Sequence, residues 1–481
     1  MIHVDHPNSR CHFAIAHGDI TPAVGTYHRM WGAASHDRSE GVHRPLRGTV
    51  VIFRPLVENS HDEQWVLVAL DHCLLGKPEM DLFLGTVSSI TGVPREQFMV
   101  AFSHTHGAGL MSLDRETLPG GELIPGYLTE MSERIAALYQ TAASQLQRAT
   151  ITYGQGRCDL AAHRDFWDEM RQQFVCGYNP LQSADDTVQV ARVTCDQGKL
   201  LATFVNYACH PTTLAWDNRL ISPDFPGAMR ELVEQETSAP CVFLQGASGE
   251  LGPKEGFVGD VAVADRNGRQ LGYAVLSALT ALPPPMTRFA YTGAVVSGAT
   301  IGTWKHIPLT DERTQQVGRW RVEHVIVPLR YRDQLPTLEQ AQAERTRWQN
   351  DELAANERND TKLARDCRAM VERNTRLIGR LAALPPGDKY PLEVIIARMG
   401  DAVWITIPGE YYSHFQVELR RRFSKTPLMI ATIGNGWGPS YIPTAETYDR
   451  GIYQESIALL APDSLEHLID AIAARLQEAR S

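Results

Sequence analysis

The sequence predicts a mixed α/β fold, and two features of its apolar pattern support this prediction. Short apolar runs, several of them near-continuous in Val, Ile, Leu and Ala, are typical of strands that are buried on both faces. Apolar residues recur at helical steps of three and four across 127–142 and again across 463–478. The predicted strands are Gly48–Phe53, Trp65–Leu70, Phe98–Phe102, Val188–Val193, Leu200–Val205, Cys241–Leu244, Leu392–Ala397, Ala402–Ile407 and Leu428–Ile433.

We expect the whole chain, 1–481, to form a single catalytic domain, although its length would allow two or more. The one abrupt break is Pro283-Pro284-Pro285, which follows a helix-like run. Candidate site residues stand on both sides of it, so we interpret it as a rigid connector inside one unit. Segment 336–385 is rich in Glu, Arg, Gln and Asn, and it is predicted to be a charged, solvated helical excursion.

Composition excludes several classes of protein. A formal charge of −10 and a pI near 5.9 argue against a nucleic-acid partner, which usually leaves a basic footprint. The longest apolar runs are strand-sized, well below the roughly 20 residues of a membrane span. The N-terminus lacks the pattern of a secretory signal, and the 8 cysteines are scattered without a CxxC pair. These features predict a cytoplasmic protein; they do not predict its oligomeric state.

Polar side chains follow several apolar runs, in segments far apart along the chain. The segments are VAFSHTH, ending in His104 and His106; AAHR, ending in Arg164; VNYACH, ending in His210; ITIPGE, ending in Glu410; and the stretch that carries Tyr441 and Tyr453. Imidazole, carboxylate and phenol groups that arrive separately at strand ends can assemble a metal site. A metal-dependent hydrolase is therefore the leading hypothesis.

Each of these residues also has a structural interpretation. Residues two apart in an extended chain point to the same side, so His104 and His106 could face one centre, or they could form a polar strand end. Glu410 could project into a site or favour the N-terminus of the helix that follows it. His210 could be a structural histidine, and the two tyrosines could be half-buried aromatic residues. The joint presence of these residues favours the site.

Together the motifs resemble the neutral, non-lysosomal ceramidases, which are zinc amidases. FSHTHG is similar to that family's THTHSG, NYACHPTTL to its histidine-containing strand end, and AAHRDF to its Asn-Arg-Ser segment. PGE matches its PGE, and SYIPTAETYDRGIYQE resembles its tyrosine-rich stretch. The order is preserved from about residue 12 to the C-terminus. The resemblance implies a mixed-sheet, ceramidase-like catalytic domain with one Zn²⁺ per chain.

The resemblance also implies a role for each residue. The implied zinc ligands are His104, His210, Glu410 and Tyr441. The implied catalytic residues are His106, Arg164 and Tyr453. Zinc would lower the pKa of a bound water to about 7 and polarise the scissile carbonyl. His106 would then move a proton, while Arg164 and Tyr453 would stabilise the developing oxyanion.

The chain departs from the ceramidase pattern at Gly252, where the family has a serine proposed as nucleophile or substrate contact. A glycine cannot be a covalent nucleophile, and Ser248, four residues upstream, has the setting of a structural turn serine. We therefore expect metal-activated water to attack directly, with Gly252 lining the substrate site. Trp437 either walls the same pocket or belongs to the turn that presents Tyr441.

The sequence also stops after its last amphipathic helix, so we expect neither the family's C-terminal β-sandwich domain nor its secretory signal. Because of these departures, the resemblance predicts the zinc chemistry but does not predict that ceramide is the substrate. The predicted function is zinc-dependent hydrolysis of an amide (N-acyl) bond in a soluble or amphipathic small molecule, not necessarily ceramide. An esterase, lactonase or carbamate hydrolase stays open, as does a degenerate relative that only binds metal or ligand. A ligand set of His104, His106 and His210 also stays open.

Overall fold

The computed structural model describes residues 2–56 and 63–478. The strands of this part of the chain are β1 (His3–Asp5), β2 (Asn8–Asp19), β3 (Gly41–Val42), β4 (Arg47–Arg54), β5 (Trp65–Leu70), β6 (Phe98–Phe102), β7 (Gln147–Arg157), β8 (Ala161–His163), β9 (Asp165–Asp168), β10 (Gln173–Cys176), β11 (Thr187–Cys195), β12 (Leu200–Tyr207), β13 (Leu220–Ile221), β14 (Cys241–Gln245), β15 (Leu251–Pro253), β16 (Thr287–Val296), β17 (Thr300–Pro308), β18 (Trp320–Arg330), β19 (Lys389–Met399), β20 (Ala402–Thr406), β21 (Glu410–Tyr411), β22 (Leu428–Ala431) and β23 (Tyr441–Ile442).

The α-helices are α1 (Lys77–Thr91), α2 (Ile124–Ala143), α3 (Phe225–Thr237), α4 (Val261–Thr280), α5 (Asp311–Val317), α6 (Leu338–Glu357), α7 (Thr361–Ala382), α8 (His414–Arg422), α9 (Tyr453–Ile457) and α10 (Ser464–Glu478). Short 3₁₀ turns cover Arg95–Gln97, His106–Ala108, Leu113–Arg115, Gly121–Leu123 and Ala445–Thr447. No helix in the described ranges combines the length and apolarity that crossing a membrane requires.

Two mixed sheets form the centre of the molecule. The larger has eight strands in the order β14-β12-β11-β7-β2-β4-β5-β6, and only its outermost pairs, β12/β14 and β5/β6, are parallel. The smaller has the order β18-β19-β20-β22, with β20 and β22 parallel. The mixed α/β architecture predicted from the sequence is therefore confirmed.

The two sheets pack face to face around the Trp404 side chain. Its ring centroid lies 5.7 Å from that of Phe53, 5.4 Å from that of Trp65 and 5.0 Å from that of Phe204. The indole N–H, buried in this apolar layer, donates a hydrogen bond of 3.2 Å to the hydroxyl of Tyr153. Aromatic rings bury large areas and satisfy their polar atoms in this way, so this layer fixes the two sheets against each other.

Helices cover the outer faces of both sheets, which gives four layers in the order helix, sheet, sheet, helix. Helices α1 and α2 bury their apolar stripes against β2, β4, β5 and β6. Helices α3 and α4 cover β11, β12 and β14. Helices α8 and α10 cover the smaller sheet. Each stripe repeats at the three- and four-residue steps expected of an amphipathic helix, as predicted for 127–142 and 463–478.

The predicted strands all occur, with small shifts at their ends. The largest shift is at β19, which begins three residues before the predicted Leu392, and β22 ends early, at Ala431, because Ile433 has a φ of 58° and so cannot continue a strand. Segment 336–385 contains α6 and α7, as its helical propensity indicates. One face of α7 is not solvated, because Glu372 is buried and accepts two hydrogen bonds, of 2.9 and 2.8 Å, from the guanidinium of Arg115.

Asn206, at the end of β12, joins the two sheets through its side-chain amide. Its Nδ2 donates to the carbonyls of Leu244 on β14 (3.0 Å) and Ile430 on β22 (2.7 Å). Its Oδ1 accepts from the backbone N–H of Ile430 at 3.0 Å and from Arg420 at 3.0 Å. One buried side chain therefore completes backbone hydrogen bonding between sheets that share no strand.

We expect Asn206→Leu to lower the free energy of unfolding by about 2–4 kcal/mol, since it leaves buried backbone groups of Leu244 and Ile430 without partners. Urea titration followed by circular dichroism measures this change. The control is Asn350→Leu, at an exposed position of α6, which we expect to stay within about 0.5 kcal/mol of the wild type. Equal stability of the two variants would contradict this role of Asn206.

Candidate metal centre

Three side chains converge at the carboxyl ends of strands from both sheets. His104 follows β6, His210 follows β12, and Glu410 follows β20. The Nε2 atoms of the two histidines are 2.9 Å apart. Oε2 of Glu410 is 3.2 Å from Nε2 of His210 and 3.5 Å from Nε2 of His104. All three residues are buried.

Hydrogen bonds to the backbone fix which nitrogen of each histidine carries its proton. Nδ1 of His104 is 2.7 Å from the carbonyl of Cys73, and Nδ1 of His210 is 2.8 Å from the carbonyl of Ser248. A carbonyl can only accept, so each Nδ1 is the donor and each ring turns its Nε2 toward the other. Two unprotonated Nε2 atoms at 2.9 Å would repel each other, so the pair requires either a proton on one ring or a cation bound between them.

The donor set fits Zn²⁺. Zinc binds histidine nitrogen and carboxylate oxygen, and its histidine ligands almost always donate their second N–H to a carbonyl or carboxylate. Oε2 of Glu410 accepts no hydrogen bond from any described residue. Its other oxygen accepts from the indole N–H of Trp437 at 2.8 Å. A buried carboxylate is therefore oriented by one oxygen and left free to bind a cation with the other.

The electrostatics of the cluster also favour one bound positive charge. Burial opposes charge on His104, yet Cys73 and Glu410 raise its pKa to about 10. Burial, Arg164 and His104 lower the pKa of His210 to about 3. Burial alone would raise the pKa of Glu410, but the two histidines hold it well below its usual range. A proton or a metal ion can supply this charge, and only the metal can bind all three groups.

Tyr441 lies at the edge of this cluster. Parallel pairing of β21 with β23 sets Glu410 opposite Tyr441. The tyrosine hydroxyl is 3.3 Å from Nε2 of His210 and accepts a hydrogen bond of 3.1 Å from Nη2 of Arg164. The same Nη2 donates to the carbonyl of Gly249 at 2.5 Å. The structure thus brings all four predicted zinc ligands together and places Arg164 next to them.

The expectation that His104 and His106 lie in an extended chain is wrong. Strand β6 ends at Phe102, and His104 has a φ of 64°, in the left-handed region that non-glycine residues rarely adopt. His106 then begins a 3₁₀ turn that Thr105 caps by accepting from the N–H of Gly107 at 3.1 Å. The two imidazoles approach one centre because of this turn. Such strain is characteristic of functional sites.

His106 lies beside the cluster and keeps one nitrogen free. Its ring centroid is 5.1 Å from that of His104 and 5.7 Å from that of His210. Its Nε2 is buried and has no hydrogen-bond partner among the described residues. Burial and the neighbouring histidines lower its pKa well below the usual value, so the ring is neutral. His106 also belongs to a second group of donor atoms, with Cys73 and His104.

The two predicted substrate-binding residues have different surroundings. Trp437 is half-buried and orients Glu410 through the hydrogen bond described above. Gly252 lies in β15, where a Cβ would be 3.5 Å from Oγ1 of Thr212 and 3.9 Å from Cδ of Arg164. Both distances are ordinary van der Waals contacts, so position 252 adjoins Arg164 and has room for a ligand atom.

Tyr453 begins α9, and its ring centroid is 5.9 Å from that of Tyr441. The residue is 46% exposed, which places it at the mouth of the site. The hydroxyl of Ser248 accepts from Nε2 of Gln245 at 2.6 Å and lies 3.3 Å from Nδ1 of His210. That Nδ1 donates to the carbonyl of Ser248 at 2.8 Å, so it is not free to accept a proton from the hydroxyl.

Sequence reasoning missed two features near the cluster. One is an aromatic wall beside His106, formed by Trp31, Trp216 and Phe257, with centroid distances of 5.0 Å from Trp31 to His106, 6.2 Å from Trp31 to Trp216 and 5.6 Å from Trp31 to Phe257. The other is the face of α7 that carries Arg376 and Arg380. A stripe of Ala364, Cys367 and Val371 at steps of three and four could have indicated that this helix packs on the domain.

Comparison with known proteins places this arrangement in a known fold. No protein-family model matches the chain, and no curated protein matches it in sequence. Among solved structures, the neutral ceramidase from Pseudomonas aeruginosa superposes with a TM-score of 0.67 at 17% identity, over 99% of this chain and 75% of that one. A structure described as a ceramidase complexed with C2 gives 0.64 at 16% identity, over 99% and 76%. The chain has a ceramidase-like fold, as its motifs predict.

The donor geometry predicts how each side chain affects zinc affinity. We expect Glu410→Gln to weaken zinc binding more than about 100-fold, because it removes the negative charge from the cluster. Trp437→Phe, which only frees the other oxygen of Glu410, should weaken it about 10-fold. Competition with a chromogenic chelator measures both. Glu357→Gln, at an exposed position of α6, is the matched control.

The same titration separates the two donor groups. We expect His106→Ala to keep wild-type zinc affinity within a few-fold. A His106→Ala variant that loses zinc while Glu410→Gln retains it would mean that His106 is a ligand, together with His104 and either Cys73 or His210.

Proposed function

We propose that this protein is a zinc-dependent hydrolase that cleaves an amide (N-acyl) bond by metal-activated water. The observation that carries the proposal is the pair of imidazole Nε2 atoms 2.9 Å apart, with a carboxylate oxygen 3.2 and 3.5 Å from them, in a ceramidase-like fold. Zinc bound there supplies a Lewis acid that polarises a carbonyl and lowers the pKa of water to about 7.

His106 is the proposed proton carrier. Its neutral ring has a free Nε2, next to the cluster and without a competing partner in the described residues, so it can accept a proton from the attacking water. It can then return that proton to the departing nitrogen. An amine leaves poorly without a proton, whereas an alkoxide from an activated ester needs less help. A dedicated proton carrier therefore supports an amide as the scissile bond.

Arg164 and Tyr453 are the proposed groups that stabilise the developing oxyanion. The guanidinium of Arg164 is buried and is held by Gly249 and Tyr441, so it is pre-oriented before the reaction begins. Donors that are fixed in this way stabilise the negative charge that forms in the transition state, and they therefore raise the reaction rate strongly. Gly252 leaves space beside Arg164 for the substrate.

We also propose a cytoplasmic location. All 8 cysteines lie in the described part of the chain, and none of them forms a disulfide. Free thiols in a protein of this size are typical of a reducing compartment.

The test uses a matched amide and ester, N-dodecanoyl-p-nitroaniline and p-nitrophenyl dodecanoate, with zinc-loaded protein. We expect the amide to be hydrolysed, and a chelator to abolish the activity. His106→Gln should lower kcat for the amide by about 10²- to 10⁴-fold while zinc content stays unchanged. His467→Gln, at an exposed position of α10, is the control and should retain wild-type activity.

Two outcomes would contradict the proposal. Hydrolysis of the ester alone by the zinc-loaded protein would assign an esterase. Full zinc occupancy without turnover of either compound, together with normal ligand binding, would assign a protein that binds metal and ligand without catalysis.

A further inference from the structure

Arg380, on α7, is a buried cation without a carboxylate partner in the described part of the chain. The residue is only 8% exposed, and its Nε has no hydrogen bond. Among residues 2–56 and 63–478, no carboxylate forms an ion pair with its guanidinium. Other buried arginines have partners: Arg230 donates to Asp71 at 2.8 Å, Arg115 donates twice to Glu372, and Arg164, which also lacks a carboxylate partner, donates to Gly249 and Tyr441. An isolated buried charge is costly, so Arg380 requires another explanation.

Arg380 is also close to the metal centre. Its guanidinium carbon lies 5.0 Å from the ring centroid of Trp437, whose indole N–H donates to Glu410 at 2.8 Å. A cation over the face of an indole is a favourable contact, but it uses none of the guanidinium's N–H donors. Burial lowers the pKa of Arg380 to about 10, with Tyr453 and Glu410 opposing, so the group is charged at neutral pH.

Neighbouring charges cannot neutralise Arg380. The nearest buried carboxylate on α7, Glu372, is already shared by Arg115 and by Nε of Arg376 at 2.9 Å. Arg376 also donates to the carbonyl of Met30 at 2.5 Å, which ties α7 to the loop that carries Trp31. The guanidinium of Arg380 lies against the ring of Trp437 and donates no hydrogen bond to a described residue, so its donors remain available to a molecule that enters the site. A planar guanidinium matches a carboxylate through two parallel hydrogen bonds.

The aromatic wall supplies a second recognition surface. Trp31 lies 5.0 Å from His106 and packs on Trp216 and Phe257, so an apolar group can lie beside the proposed proton carrier. Trp216 is 36% exposed and therefore accessible. The metal centre adjoins both this apolar wall and the cationic group on α7.

We propose that the substrate is an N-acylated amine that carries an anionic group, in the simplest case an N-acyl amino acid. Its carboxylate binds Arg380, and its acyl chain lies against Trp31 and its aromatic neighbours. This inference rests on the proposed amide hydrolysis. Water adds across the C–N bond: the acyl carbon gains the hydroxyl, the nitrogen gains the hydrogen, and the products are a carboxylic acid and an amino acid. No other reactant is needed.

The experiment compares N-dodecanoylglycine with N-dodecanoylethanolamine, which has the same acyl chain and no carboxylate. The ratio of kcat/KM for the two compounds is measured for the zinc-loaded wild type, Arg380→Gln and Arg373→Gln. Arg373 is an exposed arginine on the same helix and serves as the control. Binding of both compounds to zinc-free protein is measured by calorimetry, so that anion recognition is read independently of catalysis.

We expect the wild type to prefer the glycine conjugate at least about 10-fold, as one charge-assisted pair of hydrogen bonds predicts. Arg380→Gln should reduce this ratio to about 2 or below in both measurements, and Arg373→Gln should keep it. Arg380→Gln should not lower the melting temperature, since it breaks no ion pair. If Arg380→Gln stays folded and binds zinc but loses the preference for the glycine conjugate, then Arg380 acts in substrate recognition and not in stability.

Three outcomes are informative in other ways. Equal hydrolysis of both compounds by the wild type would overturn the anionic substrate and leave the amidase intact. An unchanged preference in Arg380→Gln would overturn the role of Arg380. Binding of the glycine conjugate that depends on Arg380, without hydrolysis of either compound, would support the anion site and contradict the proposed function.

Discussion

The repulsion between two imidazole lone pairs is the constraint on which the rest of the site depends. The carbonyls of Cys73 and Ser248 bind both Nδ1 protons, so the Nε2 atoms of His104 and His210 face each other at 2.9 Å, where two unprotonated nitrogens would repel each other. A bound cation converts this repulsion into attraction, and Glu410 adds the negative charge that makes a divalent ion preferable to a proton. The left-handed backbone of His104 is tolerated because it brings its ring to this position.

His104, His210 and Glu410 come together only when the two sheets are packed against each other. His104 and His210 follow strands of the larger sheet, whereas Glu410 follows a strand of the smaller one. Trp404 and Asn206 fix the two sheets in register, the first by aromatic packing and the second by hydrogen bonds to Leu244 and Ile430. Because a preformed site needs the assembled sandwich, metal binding and folding are thermodynamically coupled.

The local sequence pattern predicts most of the strands and helices. The features that it does not predict depend on contacts between residues far apart in the chain. Strands such as Trp65–Leu70 and Phe98–Phe102 are predicted to the residue because continuous apolar runs have few alternatives. The proposed ligand set is identified from sequence motifs. The position of α7 is not, because it depends on an ion pair between Arg115 and Glu372, 257 residues apart. The role of Trp437 as a donor to Glu410 likewise depends on tertiary contact alone.

X-ray absorption at the zinc edge identifies the atoms bound to the metal and so tests the assignment to His104, His210 and Glu410. We expect nitrogen and oxygen neighbours at about 2.0–2.2 Å, with multiple scattering from two imidazoles and no sulfur. A sulfur neighbour at about 2.3 Å would place the metal on Cys73 and contradict the assignment to His104, His210 and Glu410.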